Sequence, residues 1–103
     1  MDNFGRLADR SSLRHLEWHS GQRVGFTIVN AVVVVFDNAN GPDVISDRGY
    51  LRLPAQVRHC ARIEHSDRLL LAAIPEFGGL AIFPPAAASA ALWAFDPTVW
   101  TQP

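Results

Sequence analysis

The apolar residues of this chain fall into short runs separated by turn formers, a pattern that predicts a mainly β protein. Residues 24–29 carry Phe, Thr, Ile and Val, and residues 31–36 read AVVVVF, so both runs are predicted to be strands. Asn30 and Ala31 are predicted to form a tight turn that joins them into a hairpin, because Asn tolerates a positive φ. Further strands are predicted over 44–53 (with a bend at 47–49), 69–74 and 80–83, with a hairpin loop over 75–79.

Short helices are predicted between these strands. Ser11 or Ser12 is predicted to cap a helix of one to two turns that reaches about Trp18. Pro54 is well placed to open a second helix, ending near Ala61, because its missing N–H costs nothing in the first helical turn. The Ala-rich segment 86–95 is predicted to be a C-terminal helix because of its high intrinsic propensity.

A faint internal repeat relates the two parts of the chain. GRLADRSSLRHLEWHSGQRV begins at Gly5, and GYLRLPAQVRHCARIEHSDRL begins at Gly49. At an offset of 44 residues the two stretches share a Gly, an apolar residue and an Arg-His pair, and one inserted residue then shifts the offset to 45. Such a repeat predicts two matching halves that close one core around a pseudo-two-fold axis. Two-fold proteins often read two-fold partners such as duplex DNA.

The composition indicates a single folded domain over residues 1–103. Apolar residues make up 49% of the chain and charged residues 18%, which is typical of a globular protein. All nine basic residues are Arg, which can grip phosphate with two hydrogen bonds, although GC-rich coding would also explain the absence of Lys. Because the net charge is −1, any nucleic-acid site must come from local clusters of Arg.

Other classes of chemistry find little support in the sequence. Cys60 is the only cysteine, which excludes an intrachain disulfide, fits a reducing cytoplasm and predicts a small buried apolar residue. His15 and His19 are spaced to share a helix face, but no third metal ligand is evident nearby. No carboxylate pair or cysteine motif suggests catalysis, so neither an enzyme nor a cofactor is predicted.

The chain is also predicted to be cytoplasmic rather than attached to a membrane. Its N-terminus is polar and has no apolar signal region. The longest apolar stretch, residues 80–95, is interrupted by two prolines and is too short to span a bilayer.

The second half carries a recognisable motif. SDRGYLRLPAQVR begins at Ser46 as a glycine-containing strand, an apolar-Pro step and a short helix with a basic residue, and LAIFP closes the pattern at Pro84. Over residues 44–84 this resembles the swapped-hairpin domain of the AbrB/MazE/SpoVT family. The first half resembles the same domain more weakly over residues 4–36. The departures from the family pattern are Arg10 in place of Pro, Tyr50 in place of Arg and Ser66 in place of Gly.

The resemblance implies an intertwined AbrB-like β-barrel. A tandem pair is similar to a group of actinobacterial members of this bacterial family. Here the two halves would build one barrel within a monomeric pseudo-dimer, or a homodimer would exchange halves. Residues 86–103 would form a C-terminal helix and tail. Family members bind DNA through Arg on one face, and many regulate transcription, so the predicted function is a DNA-binding transcriptional regulator with double-stranded DNA as its partner.

The resemblance and the repeat together give a set of candidate DNA-binding residues. The alternative is that these side chains are solvated or pair with nearby carboxylates such as Glu17 and Glu64. Arg23 and Arg68 are instead predicted to make structural salt bridges that hold the turns that precede them. The DNA-binding candidates are Arg6, Arg14, His15, Arg48, Arg52, Arg58 and His59.

A second hypothesis is a protein-interaction module. Some family members are antitoxins whose C-terminal tail neutralises a toxin, so residues 86–103 could bind such a partner here. Trp93 and Trp100 would be the aromatic anchors. The alternative is that they pack on the protein's own body, which is expected more for Trp93.

Overall fold

The computed structural model of the protein describes residues 5–7 and 10–95. It is mainly β with a few short helices, as predicted. Three α-helices and five strands are present in the described part of the chain. A 3-10 turn, Pro75–Phe77, joins the last two strands. In chain order the elements are α1 (Ser11–His15), β1 (Arg23–Val29), β2 (Val32–Asp37), β3 (Asp43–Val44), α2 (Ala55–Cys60), β4 (Leu70–Ile74), β5 (Gly79–Phe83) and α3 (Pro85–Phe95).

The strands form one antiparallel sheet in the order β3-β1-β2-β5-β4. Strands β1 and β2 make the predicted hairpin, in which Val29 pairs with Val32. Its turn residues Asn30 and Ala31 have φ values of 50° and 67°, the pair of left-handed conformations that matches the twist of a two-residue hairpin. The prediction of this turn is therefore confirmed.

The sheet is open, so the predicted closed barrel is wrong. Among the described residues β3 and β4 are the two ends of the sheet, and β3 pairs only with the first two residues of β1. The segment 44–53 was predicted to be a strand with a bend at 47–49; the bend is present, but the long strand around it is not. It leaves the sheet after Val44 and turns back, with Ser46 N–H donating to Tyr50 O at 3.0 Å and Gly49 at a φ of 82°.

One face of the sheet carries the core. Val24, Val33, Val35, Leu80 and Ile82 on that face are fully buried. They pack against a second layer of buried side chains from α1, from the residues that follow the two short helices and from the extended segments before the helices. Each fully buried Val, Leu or Ile contributes about 1.5–3 kcal/mol relative to an exposed one. The second layer comprises Leu7, Leu13, Trp18, Ile45, Leu51, Leu53, Ala61 and Ile63.

The backbone at the ends of α1 and α2 repeats. After α1, Glu17 N–H donates to Arg14 O at 2.9 Å and Trp18 N–H donates to Leu13 O at 2.9 Å. After α2, Arg62 and Ile63 make the same two bonds, to His59 O and Arg58 O at 3.1 and 2.8 Å. Both ends are Schellman motifs, and Glu17 and Arg62 are left-handed with φ of 61° and 57°. The repeat is therefore structural, with its inserted residue in α2, which has six residues against five in α1.

Strand pairing between the halves is symmetric as well. Val34 pairs with Ala81, and the flanking pairs are Val33 with Ile82 and Val35 with Leu80. When the register of the β1–β2 hairpin is matched to that of the β4–β5 hairpin, Val33 corresponds to Leu80 and Val35 corresponds to Ile82. Exchanging the two halves therefore turns the Val33–Ile82 pair into the Leu80–Val35 pair, which is also present. The halves also reach across each other, since α1 packs against β4 and α2 lines a groove with β1. Two pseudo-symmetric halves therefore share one core.

Several local predictions were wrong. Helix α1 ends at His15 rather than near Trp18, because the Schellman motif stops it. Its N-cap is Arg10, which makes no side-chain capping bond, rather than either serine. Cys60 is exposed rather than buried, because α2 turns its last residue outward.

Candidate nucleic-acid interface

Two extended segments, one from each half, pair on the surface. Leu7 N–H donates to Leu51 O at 2.9 Å, and Leu53 N–H donates to Gly5 O at 2.8 Å. These bonds make residues 5–7 and 51–53 a short antiparallel ribbon, here called the arginine ribbon. The leucines of the ribbon enter the core, whereas Arg6 and Arg52, which face each other across the bridge, are exposed. Because side chains alternate along a strand, burial of the leucines directs both arginines outward.

Tyr50 lies beside this ribbon and is approached by two guanidinium groups. The Cζ atom of Arg10 is 5.0 Å from the ring centroid of Tyr50, and that of Arg6 is 5.6 Å away. Arg10 also donates from Nη1 to the carbonyl of Arg48 at 3.3 Å. The ring is half-buried, so it gives the mobile arginine side chains a fixed surface to stack on. Arg6, Arg10, Arg48 and Arg52 are called the arginine cluster below.

The turn before the ribbon is built by its own polar groups. Tyr50 N–H donates to Ser46 Oγ at 3.0 Å, and Gly49 N–H donates to Ser46 O at 2.9 Å. Ser20 Oγ donates to Asp47 O at 3.1 Å, which ties the turn to the first half. Arg48 is therefore held on an exposed turn next to Tyr50.

The cluster carries several guanidinium groups. Arg6 and Arg52, two side chains of like charge, lie directly opposite each other on the ribbon. Each exposed cation–π contact contributes only about 0.5–1 kcal/mol of stabilisation. A phosphate group can accept two parallel hydrogen bonds from one guanidinium, which makes arginine well suited to it.

Arg10 and Tyr50 belong to this site, although neither was among the DNA-binding candidates. Each was identified in the sequence as a departure from the family pattern, Arg10 replacing Pro and Tyr50 replacing Arg. The structure brings the two residues, one from each half, into contact. Nothing else in the sequence points to this contact.

The other four DNA-binding candidates lie on the helices α1 and α2 and not on the arginine ribbon. Arg14 and His15 are exposed in the last turn of α1, and His59 is exposed in the last turn of α2. Cations at this position also stabilise the negative end of a helix, which is a structural reason for their presence.

Arg58, the repeat partner of Arg14, has a structural contact. Its side chain is half-buried, and Nε donates to Leu53 O at 3.1 Å. The same nitrogen is 3.1 Å from where a Cβ on Gly5 would lie. Arg58 therefore stabilises residues 51–53 of the arginine ribbon through a hydrogen bond from α2.

Arg23 was predicted to make a salt bridge that holds the turn before it, but it bonds to a carbonyl of a different loop, the one after β2. Its Nη1 donates to Gly41 O at 2.9 Å. Arg68 is exposed.

The described residues offer no metal centre. No group of three or more His, Cys, Asp or Glu side chains within residues 5–7 and 10–95 could hold a metal ion. His15 and His19 do not share a helix face, because α1 ends at His15 and His19 Nδ1 lies 3.1 Å from Ser20 O.

The predicted C-terminal helix is present, over Pro85–Phe95. Trp93, which was expected to pack on the body, is 48% exposed, and Leu92 beside it is 50% exposed. Trp100 lies outside the described residues. Within the described part of the chain no helix, α3 included, has the length and apolarity needed to cross a membrane.

Comparison with known proteins gives no relative, since no family model, curated protein or solved structure matches the chain.

Proposed function

We propose that the protein binds double-stranded DNA through the arginine cluster and acts as a transcriptional regulator of the AbrB type. The observation that carries the proposal is the exposed pairing of Arg6 with Arg52, beside which Arg10 lies over Tyr50 and donates to the backbone carbonyl of Arg48. Each half of the repeat contributes two of the four arginines. The cluster therefore forms only when the two halves pack together, because neither half contains all four arginines.

The shape of the site fits a duplex better than a small anion. A two-stranded antiparallel ribbon is narrow enough to enter the major groove of B-DNA, and guanidinium groups on its outer side can reach phosphates or guanine edges. The pseudo-two-fold relation of the halves parallels the symmetry of a duplex. Because the net charge is −1, binding depends on this cluster and not on the overall field.

The proposal includes a swapped-hairpin arrangement of the halves. It is supported by the packing of α1 on β4, the groove between α2 and β1, and the symmetric pairing of β2 with β5. In this arrangement neither hairpin has a core without the other, which agrees with the marginal stability of isolated hairpins. Two halves that fold only together hold the ribbon strands at a fixed distance.

The test is binding to a mixed-sequence fluorescent duplex, followed by anisotropy over a salt series. Four arginine–phosphate contacts give a slope of log K against log salt of roughly −3.6. The double variant Arg6→Gln/Arg52→Gln is expected to weaken binding and to reduce that slope by about 2. It preserves hydrogen-bonding groups while removing both charges of the ribbon.

The matched control is Arg62→Gln/Arg68→Gln, which removes the same charge from exposed positions outside the cluster. We expect its salt slope to stay within about half a unit of the unmodified protein. Equal losses in the two double variants would show that only net charge matters. Absence of binding at low salt by the unmodified protein would contradict the proposal.

Helix α3 favours a second candidate, a protein-interaction segment. Its residues from Ser89 to Ala94 are exposed and include no charged side chain. An isolated helix of 11 residues is marginal in water, so such a helix gains stability from a partner that covers its apolar side chains. An antitoxin would use this segment to bind its toxin.

Photo-crosslinking tests this second candidate. A benzophenone amino acid placed at Leu92 is expected to give a discrete adduct with a different protein in cells. The same group at Phe77, which is 85% exposed but lies in the 3-10 turn, is the control. Identical adducts from both positions, or none from Leu92, would contradict a partner site on α3.

A further inference from the structure

The sheet has a second face whose residues lie outside the core cluster, although Ala81 at its centre is itself buried, with 8% exposure. The partly buried apolar residues that pack on the core include Phe26, Leu71 and Ala73, all from the inner face. On the opposite face Val34 and Phe36 are half-buried, and its two edges are more open, with Val29 53% and Leu70 48% exposed. We call this the outer face.

The composition of the outer face is unusual for a solvated sheet. Antiparallel sheets with one face in water commonly place polar residues there. The outward positions of β2 here are Val32, Val34 and Phe36, and those of β5 include Ala81 and Phe83. No outward position in 25–29, 32–36, 70–74 or 79–83 is charged, and Thr27 is the one polar residue among them. Contiguous apolar patches of this kind mark interaction sites.

From this face we infer that the protein self-associates, with the outer face of one copy packed on the outer face of a second copy. A charged partner has nothing to pair with here, whereas a second copy brings an equally uncharged surface. Isologous contacts need a self-complementary patch around a two-fold axis. A two-fold axis that lies between the two faces, parallel to the strands and midway between Val34 and Ala81, would place Val34 of each copy over Ala81 of the other, so that large side chains meet small ones.

The area of the outer face limits the expected affinity of the dimer. Four strands spaced about 4.8 Å apart and five residues long at about 3.3 Å each give a footprint of roughly 300 Å² per copy. Stable interfaces bury about 800 Å² of accessible surface per partner, so this face fits a weak, reversible dimer. The dissociation constant is expected to lie in the micromolar range or above. This inference does not depend on DNA binding.

The experiment is sedimentation equilibrium of the full chain between about 1 and 200 µM. A reversible monomer–dimer equilibrium is expected for the unmodified protein. Val34→Lys places a charge at the centre of the face and is expected to weaken the dimer about tenfold or more. Phe77→Lys is the matched control, because it exchanges an exposed apolar residue for the same charge away from the face, and it is expected to dimerise normally.

A second variant covers the case in which Val34→Lys does not fold, as judged by circular dichroism. Val34→Thr keeps the branched shape and adds only a hydroxyl, so the dimer is expected to weaken by several-fold. A protein that stays monomeric at 200 µM would overturn the inference and leave the face to a different occupant. A dimer that both Val34 variants leave unchanged would overturn it equally, since the contact would then lie elsewhere.

Discussion

Gly5 and Gly49 occupy matching positions of the repeat and share a φ of 82°, yet their surroundings differ. A Cβ on Gly5 would lie 2.7 Å from Leu53 O, because Gly5 is part of the arginine ribbon. A Cβ on Gly49 would meet nothing closer than the side chain of Arg10 at 4.0 Å. The two glycines are therefore required for the same backbone conformation, but only Gly5 is also required for a close approach.

Substitution of these glycines separates the two effects. Gly49→Ala is expected to cost about 1–2 kcal/mol, the penalty of a left-handed backbone for a residue with a side chain. Gly5→Ala is expected to cost roughly 1 kcal/mol more, because the carbonyl of Leu53 must move. Urea unfolding followed by circular dichroism measures both. Equal losses of stability would contradict the close approach.

At this scale the sequence predicted some contacts and missed others. The exposure of Arg6 and Arg52 follows from their alternation with leucines and could be anticipated from the repeat. The contact of Arg10 with Tyr50 could not, since it joins residues 40 positions apart whose only relation is chemical. The structural contact of Arg58 was also hidden, because its repeat partner Arg14 is exposed.

Backbone hydrogen bonds set where each helix and strand begins and ends, and the sequence predicted these boundaries least well. Schellman motifs usually place Gly in the left-handed position, and the chain has Glu17 and Arg62 there instead. Helix α1 therefore has no visible stop signal, and the predicted helix ran on to Trp18. The hairpin turn at Asn30 was predictable, because Asn is common in that conformation.

Replacing Glu17 by Gly tests this account of the helix end. We expect Glu17→Gly to raise the free energy of unfolding by about 1 kcal/mol, since it removes the left-handed strain of a side chain. Glu64→Gly is the control, because Glu64 is exposed but is not among the residues with positive φ. Its loss of backbone entropy is expected to lower stability by about 0.5–1 kcal/mol. Loss of stability in both variants would contradict the strain at Glu17.

The whole molecule follows from the repeat more than from any single element. Two similar halves predicted one shared core, and the symmetric pairing of β2 with β5 agrees with it. The sheet does not close into a barrel: β3 is only two residues long, and after it the bond between Ser46 and Tyr50 folds the chain at the bend predicted over 47–49. The apolar outer face could not be assigned from alternation, since strands such as AVVVVF are apolar on both sides.

The same turn that opens the sheet creates the proposed site. It brings Arg48 and Tyr50 beside the arginine ribbon, across from Arg6 and Arg10 of the first half. The positive charge thus lies on the layer opposite the outer face, with the core between them. DNA binding and self-association would use separate surfaces of the molecule.

The most direct test of DNA binding is a residue-by-residue map of the contact. The full chain, labelled with nitrogen-15, would be titrated with a short duplex while amide shifts are recorded by NMR. We expect the largest shifts at residues 5–7 and 48–52 and little change along β2, which lies across the core. Shifts concentrated on β2 or α3, with the ribbon unchanged, would contradict the account.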